Sequence, residues 1–195
     1  MKKIFVFIIL ISLTTSVNSE NIKDLEIENI SIGDSLLDYL SENEILKEIQ
    51  QNKKEAYYYL DDSFGEVYFF GNFKRYDFLS FFVKPSDSKY VIQSIFGSIQ
   101  YDKNIKKCYE KQNEIDSELS LSYKNLRKRS GEHAHQVDPS GKSIVKYIYY
   151  YFDNNDLLRI ECTKFEKNLK KKNGWTDGLS VSLVRQDVQN WLTSY

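Results

Sequence analysis

The sequence predicts an α+β fold in which an antiparallel sheet of about six strands packs on a long central helix. Three observations predict this fold. Residues 102–127 carry apolar side chains at helical spacing. The segments on both sides of this helix have strand-like composition, and short turn sequences join them, as in antiparallel sheets. A chain of 195 residues, 41% of them hydrophobic, is also long enough to form one domain with a sizeable core.

The central helix is predicted from a stripe of side chains spaced three and four residues apart. The stripe consists of Ile105, Cys108, Gln112, Ile115, Leu119, Ser122 and Leu126. Residues at this spacing share one face of an α-helix, and most of these are apolar or thiol side chains. We therefore expect the stripe to face the sheet and to place Cys108 in the core.

The first 19 residues have the three parts of a secretory signal. Lys2 and Lys3 form a positive start, residues 4–13 are an apolar run, and Val17 and Ser19 place small residues before a cut at Glu20. The apolar run is too short to cross a hydrocarbon core, which needs about 20 residues. The sequence predicts a cleaved signal, export to the periplasm or the medium, and no transmembrane segment afterwards.

The mature chain is expected to contain a polar lead-in at 20–29 and a single domain at 30–195. Two short helices open this domain, and the second begins at an S-x-x-E capping box made by Ser41 and Glu44. A C-terminal helix is expected after Asp187.

Six segments of the domain have the composition and punctuation of strands. They lie at 66–72, 76–84, 89–100, 143–152, 157–165 and 179–183. A polar loop at 128–142 and a Lys-rich loop at 166–176 are expected between them. In the segment 157–165, Cys162 lies on the apolar face, and Arg159 and Glu161 point the other way.

Cys108 and Cys162 are the two cysteines of a chain that is predicted to be exported. An oxidising compartment favours their pairing. Closing a loop of about 55 residues would stabilise the fold by roughly 4 kcal/mol. A metal pair or a catalytic thiol would need helper residues, and the spacing indicates none. The sequence therefore favours a structural disulfide.

His133, His135 and Asp138 are the candidate metal ligands. On an extended strand, positions i and i+2 face the same way, so the two imidazoles could share Zn²⁺ or Cu²⁺. A catalytic zinc site needs a third protein ligand, which the sequence does not identify. The alternative, a pair of solvated histidines in the 128–142 loop, is favoured.

Charge and motifs argue against several other classes of function. Removal of Lys2 and Lys3 leaves 25 basic and 28 acidic residues, a formal charge of −3, and nucleic-acid binders usually carry a basic excess. The segment 138–143 reads DPSGKS, but Gln136 stands where a P-loop needs its first glycine. No cofactor and no nucleic-acid partner are expected.

Three stretches of the chain resemble a family of short, uncharacterised exported bacterial proteins. They read IENISIGDSLLDYLSENEI, YVIQSIFGSIQYDKNIKKCYEK and SGKS before a strand. The resemblance covers nearly the whole mature chain and implies no known activity. The I-x-I-G-D-S segment at 30–35 also resembles the helix opening of small outer-membrane assembly and β-lactamase-inhibitor-like folds, which implies an α+β architecture.

The sequence favours a binding or structural module of the cell envelope that carries out no chemistry. A metal-dependent hydrolase or metalloprotein that uses the 128–142 loop is the first alternative. The second is an inhibitor or assembly partner that binds another protein or envelope component through an aromatic sheet face, since the chain has 15 tyrosines and 12 phenylalanines.

Overall fold

A computed structural model describes residues 21–102 and 104–194, so the predicted signal at 1–19 lies outside the described residues. The helices are α1 (Glu42–Glu55), α2 (Ile105–Ser122), α3 (Lys167–Asn173) and α4 (Gln186–Leu192). The strands are β1 (Glu26–Ile27), β2 (Ile30–Ser31), β3 (Gly65–Phe69), β4 (Phe78–Val83), β5 (Ile92–Gln100), β6 (Arg127–Ala134), β7 (Ile144–Tyr151), β8 (Leu157–Lys164) and β9 (Gly178–Val184).

Seven of these strands form one antiparallel sheet in the order β3-β4-β5-β9-β8-β7-β6. Strands β1 and β2 make a separate two-stranded ribbon. The predicted α+β class with an antiparallel sheet is confirmed. The sheet has seven strands rather than six because residues 127–134, expected within the central helix and the polar loop, form β6.

Helix α2 packs on one face of the sheet, mainly against β8 and β9. Its stripe supplies Cys108, which is fully buried and bonded to Cys162 on β8 with a Cα–Cα distance of 6.0 Å. The predicted disulfide is confirmed. Gln112 is also fully buried, and its amide nitrogen donates to the carbonyl oxygens of Lys146 and Ile160 at 2.9 and 2.8 Å. The Tyr150 hydroxyl of β7 also hydrogen-bonds to Ser120 and Asp116 of α2, so the helix is fixed to β7 and β8 by one covalent bond and several hydrogen bonds.

Helix α1 begins at the predicted capping box. The backbone N–H of Ser41 donates to the Glu44 carboxylate at 2.8 Å, and the Ser41 hydroxyl accepts from the Glu44 backbone at 3.4 Å. The helix lies along the edge strand β3, where the Asn52 amide donates to the Glu66 carbonyl oxygen at 3.0 Å. It therefore covers one edge of the sheet.

Several predicted details of the fold are wrong. The first expected N-terminal helix is a single 3-10 turn, Leu36–Asp38. The central helix ends at Ser122, and the strand β6 follows after a short turn. The Lys-rich loop contains α3, where the Glu166 carboxylate accepts from two backbone N–H groups at the start and Gly174 ends the helix at φ 67°.

The N-terminal part of the chain joins the core. Residues 21–29, expected as a polar lead-in, contain a 3-10 turn at Ile22–Asp24 and the strand β1. Ile22 and Ile27 are buried against the α2 side of the sheet. Within 21–102 and 104–194, no helix is long and apolar enough to cross a membrane.

Candidate functional site

The face of the sheet opposite α2, called the open face below, carries the candidate site. Alternation along the strands sends Val67, Ile148 and Ile160 to the α2 side. Their neighbours, such as Tyr149 and Arg159, point to the open face. Helix α2 does not reach this face. The side chains of the open face therefore contact one another, α4 and solvent.

One end of the open face is closed by a second apolar cluster. Its buried members are Leu60, Phe64, Phe82, Leu157, Val184, Val188 and Trp191. Trp191 of α4 lies at its centre, with ring centroids 5.7 Å from Phe64 and 6.0 Å from Phe82. The indole N–H donates to the Asp61 carboxylate at 2.8 Å. This contact joins α4 to the segment that follows α1.

A cleft of about 490 Å³ lies beside this cluster, between α4 and β6. Its walls include Tyr57, Phe82, Phe96, Tyr149 and Leu192. Its polar lining side chains include Glu66, Arg159, Glu161, His133 and His135. Aromatic walls with a few convergent polar groups are typical of small-molecule sites.

Arg159 and Glu161 form a fixed polar group in this cleft. The Arg159 guanidinium donates to the Ser182 hydroxyl at 3.3 Å and to the side-chain amide oxygen of Gln189 on α4 at 3.0 Å. It also lies 3.4 Å from one oxygen of Glu161, whose other oxygen accepts from the Tyr149 hydroxyl. Burial and the Glu161 charge raise the pKa of Tyr149, so its hydroxyl keeps its proton and donates.

Glu66 is a buried carboxyl at the other end of the cleft, with 6% of its surface exposed. The Tyr57 hydroxyl donates to it at 2.9 Å, and the hydroxyls of Ser80 and Tyr68 also hydrogen-bond to it. In the described part of the chain, no Lys, Arg or His forms an ion pair with it. Burial therefore raises the pKa of Glu66, although the hydroxyl donors favour the carboxylate.

The raised pKa of Glu66 predicts that stability falls as the pH rises above its ordinary value of 4.5. In that range the unfolded chain releases the proton while the folded protein keeps it, so folding binds a proton and becomes less favourable. Stability stops falling once the pH exceeds the pKa of Glu66 in the folded protein. Glu66→Gln should remove this slope, measured by chemical denaturation at a series of pH values. The same substitution at exposed Glu110 is the control, and an unchanged slope in Glu66→Gln would contradict the assignment.

A row of rings, called the aromatic ladder below, runs along β6 and β7 on the open face. It consists of His133, Tyr147, Tyr149 and Tyr151. The His133 and Tyr147 rings lie 5.5 Å apart, and Tyr147 stacks on Tyr149 at 4.6 Å. The Arg127 guanidinium lies 4.1 Å from the Tyr151 ring centre. A Cβ at Gly131 would come within 2.9 Å of the Tyr147 hydroxyl, so the glycine leaves room for the ladder.

The candidate metal ligands lie near one another, but each is engaged locally. His135 packs against Phe165 at 5.0 Å, and burial lowers its pKa. The Asp138 carboxylate accepts from the backbones of Ser140 and Ser143 at 2.9 and 2.6 Å, and hydrogen bonds with these serines hold its pKa well below the usual range. Among residues 21–102 and 104–194, no three His, Cys, Asp or Glu side chains are grouped to hold a metal ion.

We expect Zn²⁺ to bind the wild type and the double variant His133→Ala/His135→Ala with equal, weak affinity, because the Asp138 oxygens already hold a turn. Isothermal titration of both proteins with Zn²⁺ and with Cu²⁺ measures this. Micromolar binding in the wild type that disappears in the double variant would support the metal hypothesis instead.

The sequence interpretation identified His133 and His135, and the structure places both at the edge of the cleft. It did not identify Glu66, Tyr149, Arg159 or Glu161 as site residues. The alternation in β8 already placed Arg159 and Glu161 on one face. Their partners Tyr149 and Gln189 depend on strand register and on the position of α4, which the spacing does not reveal.

A second cleft of the same volume lies on the α2 side, between that helix and β1. Its floor is made of core side chains such as Leu158 and Leu183, and charged residues such as Arg75 and Glu118 line it as well. A buried carboxyl and a fixed Arg–Glu–Tyr group occur in the open-face cleft, which is therefore the better candidate.

No protein-family model matches this chain, and neither the curated proteins nor the solved structures contain a match to it.

Proposed function

We propose that this protein is an exported binding module that carries out no chemistry and holds a small ligand in the open-face cleft. The cleft itself carries this proposal. Its volume of about 490 Å³ lies in the range of small-molecule sites. Its aromatic walls would bury the apolar part of a ligand, and Arg159, Glu161 and Tyr149 would orient the polar part.

The polar groups of the cleft are held in place by their neighbours, which supports ligand binding. Both oxygens of Glu161 are engaged, one by Tyr149 and one by Arg159. The Glu66 carboxyl hydrogen-bonds with neighbouring hydroxyls. A recognition site needs polar groups held in one orientation. The contacts of Glu161 with Tyr149 and Arg159 hold the polar groups of this cleft in that way.

Export is supported by the signal-like start of the chain and by the buried disulfide, since disulfides persist in oxidising compartments. Mass spectrometry of the protein recovered from the periplasm or medium of an expressing bacterium should find a chain beginning at Glu20. An intact Met1 would contradict this prediction.

The cleft proposal is testable with the fluorescent probe 1-anilinonaphthalene-8-sulfonate, an aromatic anion that fluoresces in apolar sites. We expect saturable binding to the wild type. Thr163 lines the cleft, and its cross-strand partner Gly178 has no side chain to stand in the way of a larger one. Thr163→Trp should therefore fill the cleft and abolish the fluorescence increase.

Ser122→Trp is the matched control, because Ser122 lines the second cleft on the α2 side. This variant should bind the probe as the wild type does. If Ser122→Trp lost probe binding while Thr163→Trp retained it, the probe site would be the second cleft, on the α2 side. Absence of saturable binding to the wild type would contradict a preformed ligand site on either side. Circular dichroism spectra of both variants check that the fold is retained.

The aromatic ladder favours a second candidate function, binding of a protein partner. Its rings lie partly open to solvent next to an exposed edge strand, so side chains of a partner could pack between them. Tyr147→Ser distinguishes the two functions. It should leave probe binding in the cleft unchanged while weakening a partner that binds along the ladder.

A further inference from the structure

We propose that β6 pairs with β6 of a second copy of this chain, which joins two sheets into one around a twofold axis. The two edges of the sheet differ. At β3, the Asn52 amide of α1 donates to the Glu66 carbonyl, and the Glu48 carboxylate accepts from the Tyr68 backbone. Strand β6 is the other edge, and all eight of its residues are exposed except half-buried Gly131.

The hydrogen-bond pattern shows which residues of β6 face outward. The His135 backbone N–H donates to the Ser143 carbonyl at 2.8 Å, so odd-numbered positions bond to β7 in this register. Antiparallel ladders alternate, and the even-numbered residues Lys128, Ser130, Glu132 and Ala134 therefore direct their N–H and C=O groups away from β7. The outward backbone groups of such an eight-residue edge strand form a template for another strand.

The charges on β6 select an antiparallel self-pairing centred on Ser130. In this register Ser130 lies opposite Ser130 of the second copy, and each Lys128 lies opposite the other copy's Glu132. Three opposed pairs of outward-facing residues would form about six backbone hydrogen bonds. The side chains of Lys128 and Glu132 lie on the same face, so each opposed pair brings unlike charges together.

Other antiparallel registers are less favourable. Centring the pair on Lys128 or on Glu132 places like charges opposite each other, which is destabilising. Centring it on Gly131 places Glu132 opposite Ser130, without a charge partner. In the described structure Lys128 pairs with Asp116 at 2.5 Å, whereas Glu132 forms no ion pair within 21–102 and 104–194. The unused carboxylate is available to a second copy, and the resulting interface is isologous.

Charge reversal tests the register directly. Sedimentation equilibrium over a concentration series should show a monomer–dimer equilibrium for the wild type. Lys128→Glu and Glu132→Lys should each weaken dimerisation about tenfold or more, because each places like charges opposite each other. The double reversal Lys128→Glu/Glu132→Lys restores unlike pairs and should recover much of the wild-type affinity.

Ser130→Pro separates pairing from folding. Its N–H points outward, so proline removes no hydrogen bond to β7 but blocks the edge. This variant should keep the wild-type circular dichroism spectrum and remain monomeric. A wild type that is monomeric at every concentration, dimerisation of unchanged strength in Ser130→Pro, or a double reversal no stronger than the single ones would overturn the proposal.

Discussion

The double substitution Cys108→Ala/Cys162→Ala is expected to lower the free energy of unfolding by about 4 kcal/mol while the fold is retained. The bridge joins α2 to β8 across 54 residues of chain, and its loss enlarges the conformational freedom of the unfolded state. Both sulfurs lie in the core, so a small packing loss adds to this effect. Denaturant titration without reductant measures the difference.

Reduced wild type is the control for this experiment, because it loses the covalent bond but keeps both sulfur atoms. Its stability should lie close to that of the double variant. A change below about 1 kcal/mol in both proteins would show that the bridge does not constrain the unfolded chain in the expected way. Titration of the unreduced, denatured wild type should find no free thiol.

Trp191→Ala is expected to cost about 3–5 kcal/mol of stability and to abolish probe binding in the open-face cleft. The indole is the centre of the second apolar cluster, and it contacts Tyr57, Phe64 and Phe82. It also fixes α4, whose Gln189 side-chain amide oxygen accepts from Arg159. Without the indole, α4 should separate from the sheet and leave Arg159 without this partner.

Trp191→Phe is the matched control for that prediction. It keeps a ring in the cluster but loses the N–H group that donates to Asp61, which should cost about 1 kcal/mol. Probe binding should survive in this variant. If Trp191→Ala retained both wild-type stability and probe binding, α4 would not be the element that closes the cleft.

The parts of the fold that follow local rules were predictable from the sequence. The helical stripe through Cys108 predicted α2, although that helix ends at Ser122. Ser41 and Glu44 predicted the start of α1, because a capping box is a contact between residues three positions apart. Strands with buried faces were predicted for the same reason, since alternation is visible in a single segment.

The remaining features depend on contacts between distant segments. Strand β6 has exposed, mostly polar residues and therefore no alternation of apolar and polar side chains, so the sequence predicts the end of the central helix and a loop there. The group of Arg159, Glu161 and Tyr149 requires the register of β7 on β8. The Glu66–Tyr57 contact requires the chain after α1 to return over β3. Spacing along one segment does not encode these arrangements.

The position of β9 in the sheet has a consequence for the order of folding. Residues before it can form two separate meanders, β3-β4-β5 and β6-β7-β8, but only β9 joins them. Its pairing with β5 is long-range, since Ser94 of β5 lies opposite Val184 of β9, about 90 residues later in the chain. Such contacts are slow to form because a long loop must close first.

A chain that has emerged only as far as α3 would therefore expose the unpaired edges of β5 and β8 at the same time. Exposed edges of incomplete sheets pair readily with other chains. Joining the two meanders into one sheet has to wait for residues 178–184, and until then the open edges of β5 and β8 are sites where aggregation could begin.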